Sequence, residues 1–312
     1  MTSADTPQVT ESTDIKNTRC GFVAIIGAPN AGKSTLLNAL VGVKVAIVTH
    51  KVQTTRTRIA GIVIEDYSQI IFVDTPGIFN PKRRLDRAMV STAWQEAGNA
   101  DFTILLVDAR KGVDDELEAI LQSLEANGRK VMLALNKVDL VQKDKLLALS
   151  QSLYDRNLFT DVFMISALKG GGVADLKRIL AERMPEGPWH YPEDQVTDIT
   201  QRILTSEITR EQVYLRLHEE LPYAISIVTD AWEEKRDGSV KISQTIFVER
   251  TTQKGIVIGK GGATLKAIGA AARVEMEEAL DRKVHLFLFV KVSENWSDNK
   301  LHYLDIGLDY VK

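Results

Sequence analysis

Short apolar runs alternate with amphipathic stretches through the first part of the chain. The apolar runs predict buried strands, and the stretches between them carry apolar residues at helical spacing. The predicted strands span 22–26, 70–73, 102–107, 131–135 and 162–165. The predicted helices span Lys33–Val41, 116–126, 143–158 and Val173–Arg183. This alternation indicates an α/β domain with a doubly wound, mostly parallel sheet that helices cover on both faces.

The alternation ends at a segment rich in proline and glycine. Residues 184–192 contain three prolines and one glycine, which favour neither helix nor strand, so we predict a linker over 185–196. After it we expect a helix over 206–220, strands over 223–232 and 240–249, and a glycine-rich turn. A helix that ends at residue 280 and a strand over Val284–Val292 follow. The chain is thus predicted to hold a first domain over 19–184 and a smaller α+β domain over 197–312.

Bulk composition limits the classes of protein to which this chain can belong. Its formal net charge of -3 gives no overall attraction to nucleic acid, so RNA binding would need a local basic surface. Cys20 is the single cysteine, which excludes an intramolecular disulfide and fits a reducing compartment. Residues 1–18 are polar and lack the apolar core of a signal peptide. We expect a disordered tail there and a cytoplasmic protein.

The first candidate site is a glycine-rich loop between a predicted strand and a predicted helix. Residues 27–34 fit G-x-x-x-x-G-K-[ST], the pattern of a phosphate-binding loop. In this pattern Lys33 reaches the β- and γ-phosphates, and the Ser34 hydroxyl binds Mg²⁺. A purely structural turn is the alternative. The predicted nucleotide contacts in this loop are Gly27, Ala28, Asn30, Ala31, Gly32, Lys33, Ser34 and Thr35.

Two further motifs follow later strands, at the sheet edge where doubly wound domains bind nucleotides. Residues 74–77 form D-x-x-G, in which Asp74 would hold a magnesium-bound water and the Gly77 N–H would meet the γ-phosphate. Residues 136–139 form N-K-x-D, in which the Asp139 carboxylate would accept two hydrogen bonds from guanine. Adenine lacks that pair of donors, so the motif favours GTP over ATP.

The remaining predicted contacts surround the base. Asn136 would join the loops and touch guanine, and the stem of Lys137 would lie over its face. Ser166 and Ala167 follow another strand, and the Ala167 N–H would meet O6 of guanine. Taken alone, residues 74–77 could be a turn and residues 136–139 a helix N-cap. All the motifs in this order indicate a GTP site.

The motif set resembles the translation-factor-related GTPases. Residues 53–56, Gln-Thr-Thr-Arg, together with 74–77, resemble the Era family in particular. The resemblance implies that Thr55 meets Mg²⁺ and the γ-phosphate in the GTP state, with Thr54 as the alternative. Lys33, Thr55 and Gly77 are then the predicted catalytic residues, and Ser34 and Thr55 the predicted metal ligands. Two strand-favouring threonines on a sheet edge remain the structural alternative.

Two features bear on the rate of GTP hydrolysis. Ras-like proteins place a water-orienting glutamine directly after D-x-x-G. Ile78 stands there and cannot polarise water, so we expect slow intrinsic hydrolysis. By resemblance to related GTPases, Asn30 would help to hold K⁺ against the phosphates, unless it serves only to form the loop. Arg84 and the basic residues 82–83 would contact RNA or the second domain, or form a solvated charged face.

The second domain carries a G-x-x-G loop of its own. Residues 259–262, preceded by two apolar residues and followed by a helix, fit the loop of a KH domain. Bases would rest on an apolar groove that includes Ile268. A glycine-rich helix start, or a phosphate site for a small ligand, is the alternative. The predicted RNA contacts are Val257, Ile258, Gly259, Lys260, Gly261, Gly262 and Lys266.

A GTPase domain followed by a KH domain of the second topology resembles the Era family over nearly the whole chain after residue 18. Residues 220–223 and 284–286 take part in this resemblance. It implies hydrolysis of GTP to GDP, binding of small-subunit (16S) rRNA near its 3′ end, and assembly of the 30S subunit. Peripheral association with the membrane is implied as well. Nothing in the sequence requires more than a monomer. The rival interpretations are an RNA-binding scaffold whose nucleotide site does not turn over, and a small-molecule phosphotransferase.

Overall fold

The computed structural model describes residues 18–49, 51, 55, 58–81, 84–217 and 221–294, without the side chains of 223 and 224. The strands of the first domain are β1 (Arg19–Ile26), β2 (Ile59–Glu65), β3 (Ser68–Asp74), β4 (Phe102–Asp108), β5 (Val131–Asn136) and β6 (Phe159–Met164). Its helices are α1 (Lys33–Val41), α2 (Arg84–Asn99), α3 (Asp115–Ala126), α4 (Lys143–Tyr154) and α5 (Val173–Arg183). The six strands form one sheet in the order β2-β3-β1-β4-β5-β6, in which β2 is antiparallel to β3 and the other neighbours are parallel.

Both faces of this sheet are apolar, and helices therefore cover both. Phe72 and Ile104 belong to the face that packs against α1 and α5. Leu105 and Leu133 belong to the opposite face, which packs against α2, α3 and α4. The predicted doubly wound, mostly parallel sheet is confirmed. Because β1, β3, β4, β5 and β6 are parallel, their carboxyl ends lie at one edge of the sheet.

The second domain is a three-stranded sheet covered by helices. It comprises α6 (Gln201–Arg216), β7 (Ile225–Glu234), β8 (Val240–Val248), α7 (Thr251–Ile258), α8 (Ala263–Leu280) and β9 (Val284–Val292). The strands lie in the order β7-β8-β9, with the first pair antiparallel and the second parallel. Inward-facing residues such as Ile246 and Val290 meet Val213 of α6 and Ile268 of α8 in the core. Across the described ranges, no helix has both the length and the apolar character needed to cross a bilayer.

Several predicted elements need correction. The sequence prediction did not include β2, α2 or α7. The buried face of α2 consists of Leu85, Met89, Ala88, Ala93 and Ala97 together with Asp86, so half of it is alanine. The helix predicted over 143–158 ends at Tyr154, and α6 begins at Gln201, five residues before its predicted start. The Thr200 hydroxyl accepts a hydrogen bond from Ile203 N at 3.3 Å and so caps this earlier start.

The proline-rich segment is docked on the first domain. Gln69 Oε1 accepts hydrogen bonds from the backbone N–H groups of His190 and Tyr191, at 2.9 and 3.0 Å. Its Nε2 donates to Tyr191 O at 2.8 Å. Farther on, Ile62 N donates to Val196 O at 2.9 Å, which extends pairing along the outer edge of β2. The segment predicted as a linker is therefore a strap held by hydrogen bonds.

Candidate nucleotide and RNA sites

The phosphate-binding loop joins β1 to α1 at the carboxyl edge of the sheet. Gly32 has φ 103, and a Cβ at this position would lie 2.4 Å from Asn136 Nδ2, so no other residue fits. Lys33 is buried, and its Nζ donates to the carbonyl oxygens of Gly27 and Ala28, each at 3.0 Å. Burial lowers the pKa of Lys33 to about 8, although the Asp74 carboxylate favours the charged form. A bound phosphate would reverse that effect.

Three oxygen-bearing side chains converge next to this loop. The Ser34 hydroxyl lies 2.8 Å from Thr55 Oγ1 and 2.7 Å from Asp74 Oδ2. Thr55 Oγ1 lies 2.9 Å from the same carboxylate oxygen. One carboxylate with hydroxyl oxygens is the donor set that Mg²⁺ uses together with phosphate and water. Thr54, the alternative to Thr55, lies outside the described residues.

The state of Asp74 also fits a cation. Its side chain is fully buried, and burial raises its pKa in spite of nearby Lys33. Within the described part of the chain, Asp74 Oδ1 has no hydrogen-bond partner. A buried carboxylate oxygen without a partner is costly, and a divalent cation with its water would satisfy it. The residues present therefore fit a magnesium ion.

The D-x-x-G segment packs directly on the phosphate-binding loop. Ile78 N donates to Gly27 O at 3.0 Å, and the space where a Cβ of Gly77 would lie is 3.1 Å from Pro29 Cα. Ile78 is 6% exposed and belongs to the apolar core, so its side chain points away from the phosphates. A cavity of about 50 Å³ lies here, lined by Asn30, Lys33, Ser34, Thr35, Thr55 and Gly77 among others.

A second and larger cavity of about 450 Å³ adjoins the first. Its walls include Asn30, Thr35, Asn136, Lys137, Asp139, Ser166 and Leu168. Asn136 Nδ2 donates to Ala31 O at 2.8 Å, and Lys137 Nζ donates to Asn30 O at 2.6 Å. The residues that the sequence predicted around guanine are thereby brought together and tied to the phosphate-binding loop.

Two contacts differ from the sequence expectation. The Ala167 N–H, expected to meet O6 of guanine, donates to Asn136 Oδ1 at 3.0 Å. A contact with O6 would require this N–H to be shared or released. Asp139 is paired with Lys169 Nζ at 2.9 Å, and the hydrogen bond from Lys169 lowers the pKa of its carboxyl. A guanine that bound Asp139 would displace Lys169.

The G-x-x-G loop lies between α7 and α8. Gly259 has φ 74, and a Cβ there would lie 2.2 Å from Thr264 Oγ1, so the position requires glycine. A Cβ at Gly261 or Gly262 would have nothing within 4 Å, and Lys260 and Lys266 are exposed. The loop thus presents open backbone and two lysines at the start of α8.

The predicted apolar groove needs correction. Val257 and Ile268 are fully buried in the core of the second domain and cannot contact a base in this structure. Val257 faces inward because it lies on α7, the helix that the sequence prediction missed. Ile258 at the end of α7 is half-buried, and neighbouring Ile256 is 57% exposed, so these residues offer the apolar surface beside the loop.

Sequence reasoning missed several residues of the candidate nucleotide site, and three of them bear on its chemistry. Asp108 ends β4 beside Lys137, while Leu168 and Lys169 follow the predicted Ser166–Ala167 pair. A signal for Asp108 existed, because a carboxylate at the carboxyl end of a parallel strand lies at the binding edge of the sheet. Lys169 carried no comparable pattern, since only the folded loop brings it to Asp139.

Comparison with known proteins agrees with this geometry. The family model described as 50S ribosome-binding GTPase matches residues 22–137, and the KH domain model matches residues 220–297. GTPase Era of Afipia carboxidovorans is 60% identical over 295 residues, which cover 95% of this chain and 96% of that protein. GTPase Era of Brucella suis biovar 1 is 58% identical over 298 residues, 96% of each. The chain belongs to the Era family of GTPases.

Solved structures of Era share the complete architecture. Era in complex with MgGDPNP and nucleotides 1506-1542 of 16S ribosomal RNA matches with a TM-score of 0.87 at 37% identity, covering 93% of this chain and 99% of that one. A variant of Aquifex aeolicus Era bound to GDP·AlF4⁻ matches with the same TM-score, identity and coverage. This chain is accordingly a GTPase with a KH domain, and a scaffold that never turns over GTP is set aside.

Proposed function

We propose that this Era-family GTPase is a switch that binds small-subunit (16S) rRNA near its 3′ end and acts in assembly of the 30S subunit. One observation carries the proposal. The segment between α1 and β2 contributes Thr55 to the nucleotide site and is also hydrogen-bonded to the KH domain. A segment shared in this way can report the state of the nucleotide to the RNA-binding domain.

The nucleotide chemistry is assigned to the residues at the carboxyl edge of the sheet. Lys33 and the backbone of residues 27–35 bind the β- and γ-phosphates, and the Gly77 N–H meets the γ-phosphate. Ser34 and Thr55 would hold Mg²⁺ directly and Asp74 would hold it through water, and a bound ion would supply positive charge against the phosphates. Asn30 lies at the junction of both cavities, where K⁺ would add further charge. Ile78 offers no water-orienting group, which fits slow intrinsic hydrolysis.

Guanine is assigned to the larger cavity. The Asp139 carboxylate accepts from the base, Asn136 and Lys137 connect the base to the phosphate-binding loop, and Ser166 and Ala167 close the remaining side. A site built to accept two hydrogen bonds from guanine rejects adenine, because Asp139 would be left unpaired. The cavity of about 450 Å³ has room for a nucleoside.

RNA is assigned to the loop at the start of α8. Its open glycine backbone suits close approach to a phosphodiester chain, and Lys260 and Lys266 supply local positive charge. A solved Era relative is bound to nucleotides 1506-1542 of 16S ribosomal RNA, which supports the small-subunit target. Cytoplasmic location, which fits the single cysteine, and a monomeric state are further parts of the proposal, together with the peripheral membrane association that the family resemblance implies.

Contacts between the domains give the switch a physical route. Lys44 Nζ bridges Glu211 of α6 and Glu275 of α8, and Val48 N donates to Glu211 Oε1 at 2.8 Å. Although burial opposes its charge, the two carboxylates raise the pKa of Lys44. Because α8 begins at the G-x-x-G loop, movement of the Lys44–Val48 segment would shift α8 and change the position of the RNA-binding loop. GTP would favour an open RNA site, and hydrolysis would occlude it.

The test is phosphate release from GTP with and without a single-stranded RNA that matches the 3′ end of 16S rRNA. We expect RNA to accelerate release. Gly261→Asp and Gly261→Asn form a matched pair, because both residues tolerate φ 60 and only Asp adds a negative charge. Acceleration should be lost with Asp and largely kept with Asn. Equal acceleration in both variants would refute RNA binding at this loop. No acceleration in the wild type would refute the coupling of RNA binding to hydrolysis.

A further inference from the structure

A buried carboxylate lines the cavity that we propose for guanine, and no motif includes it. Asp108 ends β4, and its side chain is 4% exposed. Its Oδ1 accepts from Arg110 N and Nε at 3.1 and 3.0 Å. Its Oδ2 accepts from Arg110 Nη2 and from Lys137 Nζ, each at 2.7 Å. Burial works against the charge, yet these hydrogen bonds lower the pKa of Asp108 to about 2.

Lys137 is the partner through which this carboxylate can act on a ligand. Its backbone has φ 64, in the left-handed region that lysine rarely adopts. From there its side chain crosses to the phosphate-binding loop, where Nζ lies 2.6 Å from Asn30 O and 2.7 Å from Asp108 Oδ2. A free lysine side chain carries about 2 kcal/mol of rotamer entropy, so two anchors are needed to hold the stem still.

We propose that Asp108 is a positioning residue for the nucleotide: it fixes Lys137 across the phosphate-binding loop so that the stem forms a wall of the guanine cavity. The inference rests on the guanine site proposed above. Arg110 shares the carboxylate, but the hydrogen bond to Asn30 O comes from Lys137. The stem of Lys137 is apolar, so it makes no hydrogen bond with the polar edge of the base. Asp108 therefore strengthens binding of GDP and IDP equally, whereas Asp139 distinguishes them.

The experiment measures equilibrium binding and dissociation of GDP and IDP with the full chain. For Asp108→Asn we expect about tenfold weaker binding of both nucleotides, mainly through faster dissociation, which corresponds to about 1.4 kcal/mol. The ratio of the two affinities should stay at the wild-type value. Asp139→Asn should instead bring that ratio close to one. If Asp139→Asn kept the wild-type ratio, the guanine site itself would be wrong, whatever Asp108 does.

A double-mutant cycle separates positioning from general stability. Lys137→Met keeps the stem and removes the ammonium group that Asp108 holds, so it should show the same loss, and the double variant should lose no more. Arg156→Ala, which breaks an ion pair with Glu118 outside both cavities, is the control and should change affinity less than about twofold. If Asp108→Asn does not fold, Lys137→Met alone carries the prediction. Wild-type affinity in either variant, or additive losses in the double variant, would overturn the proposal.

Discussion

Lys33 gives the nucleotide-free protein a pH-dependent stability. Its pKa in the folded chain is about 8, below the ordinary 10.5, because the ammonium group is buried. Between these values the unfolded chain binds more protons, so the free energy of unfolding rises with pH. Burial of the Lys33 ammonium group lowers the free energy of unfolding by its full amount below pH 8, and this destabilisation disappears above pH 10.5. At 1.36 kcal/mol per pKa unit it amounts to roughly 3 kcal/mol.

Urea unfolding at about pH 7 and at about pH 10 measures this effect. The difference in unfolding free energy between wild type and Lys33→Met should change by roughly 2 kcal/mol or more in favour of the wild type as pH rises. Lys266→Met, at an exposed lysine, controls for the general titration of lysines. A difference for Lys33→Met that does not vary with pH would contradict the burial argument.

Asn30 tests the proposed potassium site without strain. Its φ of 61 lies in the left-handed region, so Ala would add strain, whereas Gly removes the side chain and keeps the backbone. We expect Asn30→Gly to abolish the faster phosphate release in K⁺ than in Na⁺. GDP affinity should change little, since Lys137 binds the backbone oxygen of residue 30. Retention of the full K⁺ effect in Asn30→Gly would eliminate this side chain as a cation ligand.

At the scale of elements, Gln69 on β3 holds the strap. It makes three hydrogen bonds with the backbone of His190 and Tyr191 and is fully buried. Gln69→Ala leaves backbone groups without partners, at a cost of about 1–3 kcal/mol for each group that water cannot reach. Urea unfolding should show a loss in that range. Gln122→Ala, on the exposed face of α3, is the control and should cost less than about 0.5 kcal/mol.

The elements also show what sequence patterns can and cannot predict. Strands β1, β3, β4 and β5 were predictable because buried parallel strands are continuous apolar runs. Helix α2 was missed although Leu85 and Met89 lie on its buried face, because the rest of that face is three alanines and Asp86, which contrast little with the polar side. Helix α7 was missed because Gly255 and the glycines after it indicated a turn, although apolar packing of Val257 holds the helix in place.

Some residues of the candidate site could be predicted from the sequence and others could not. The motifs at residues 27–34, 74–77 and 136–139 were predictable because the residues of each motif are adjacent in the sequence. The partners of Asp108 and Lys44 were not, since Lys137 is 29 positions from Asp108 and Glu211 is 167 positions from Lys44. Only the tertiary fold brings such groups together. Neighbours in sequence thus encode the ligand chemistry, whereas the positioning and coupling contacts emerge with the fold.

At the scale of the whole molecule, the bridge from Lys44 to Glu211 and Glu275 should couple the two ligands. If GTP favours the RNA-binding form by some factor, RNA must favour GTP over GDP by the same factor. Lys44→Met removes the bridge and leaves both sites intact. The ratio of RNA affinities in the GTP-analogue and GDP forms should therefore fall toward one. Affinity for GDP alone should change by less than about twofold, because Lys44 does not line either nucleotide cavity.

The matched control is Lys177→Met, which breaks an ion pair with Glu65 at 2.7 Å inside the first domain. Both substitutions remove one lysine charge, but only Lys44 joins the domains through this bridge. Titration calorimetry with the 3′-end RNA, in the GTP-analogue form and in the GDP form, gives the two affinities needed for each variant. Loss of coupling in Lys44→Met but not in Lys177→Met would identify the bridge as the route. Equal ratios in wild type and Lys44→Met would mean that nucleotide state reaches the RNA site by other contacts, and the hydrogen bond from Val48 N to Glu211 is the next of these to test.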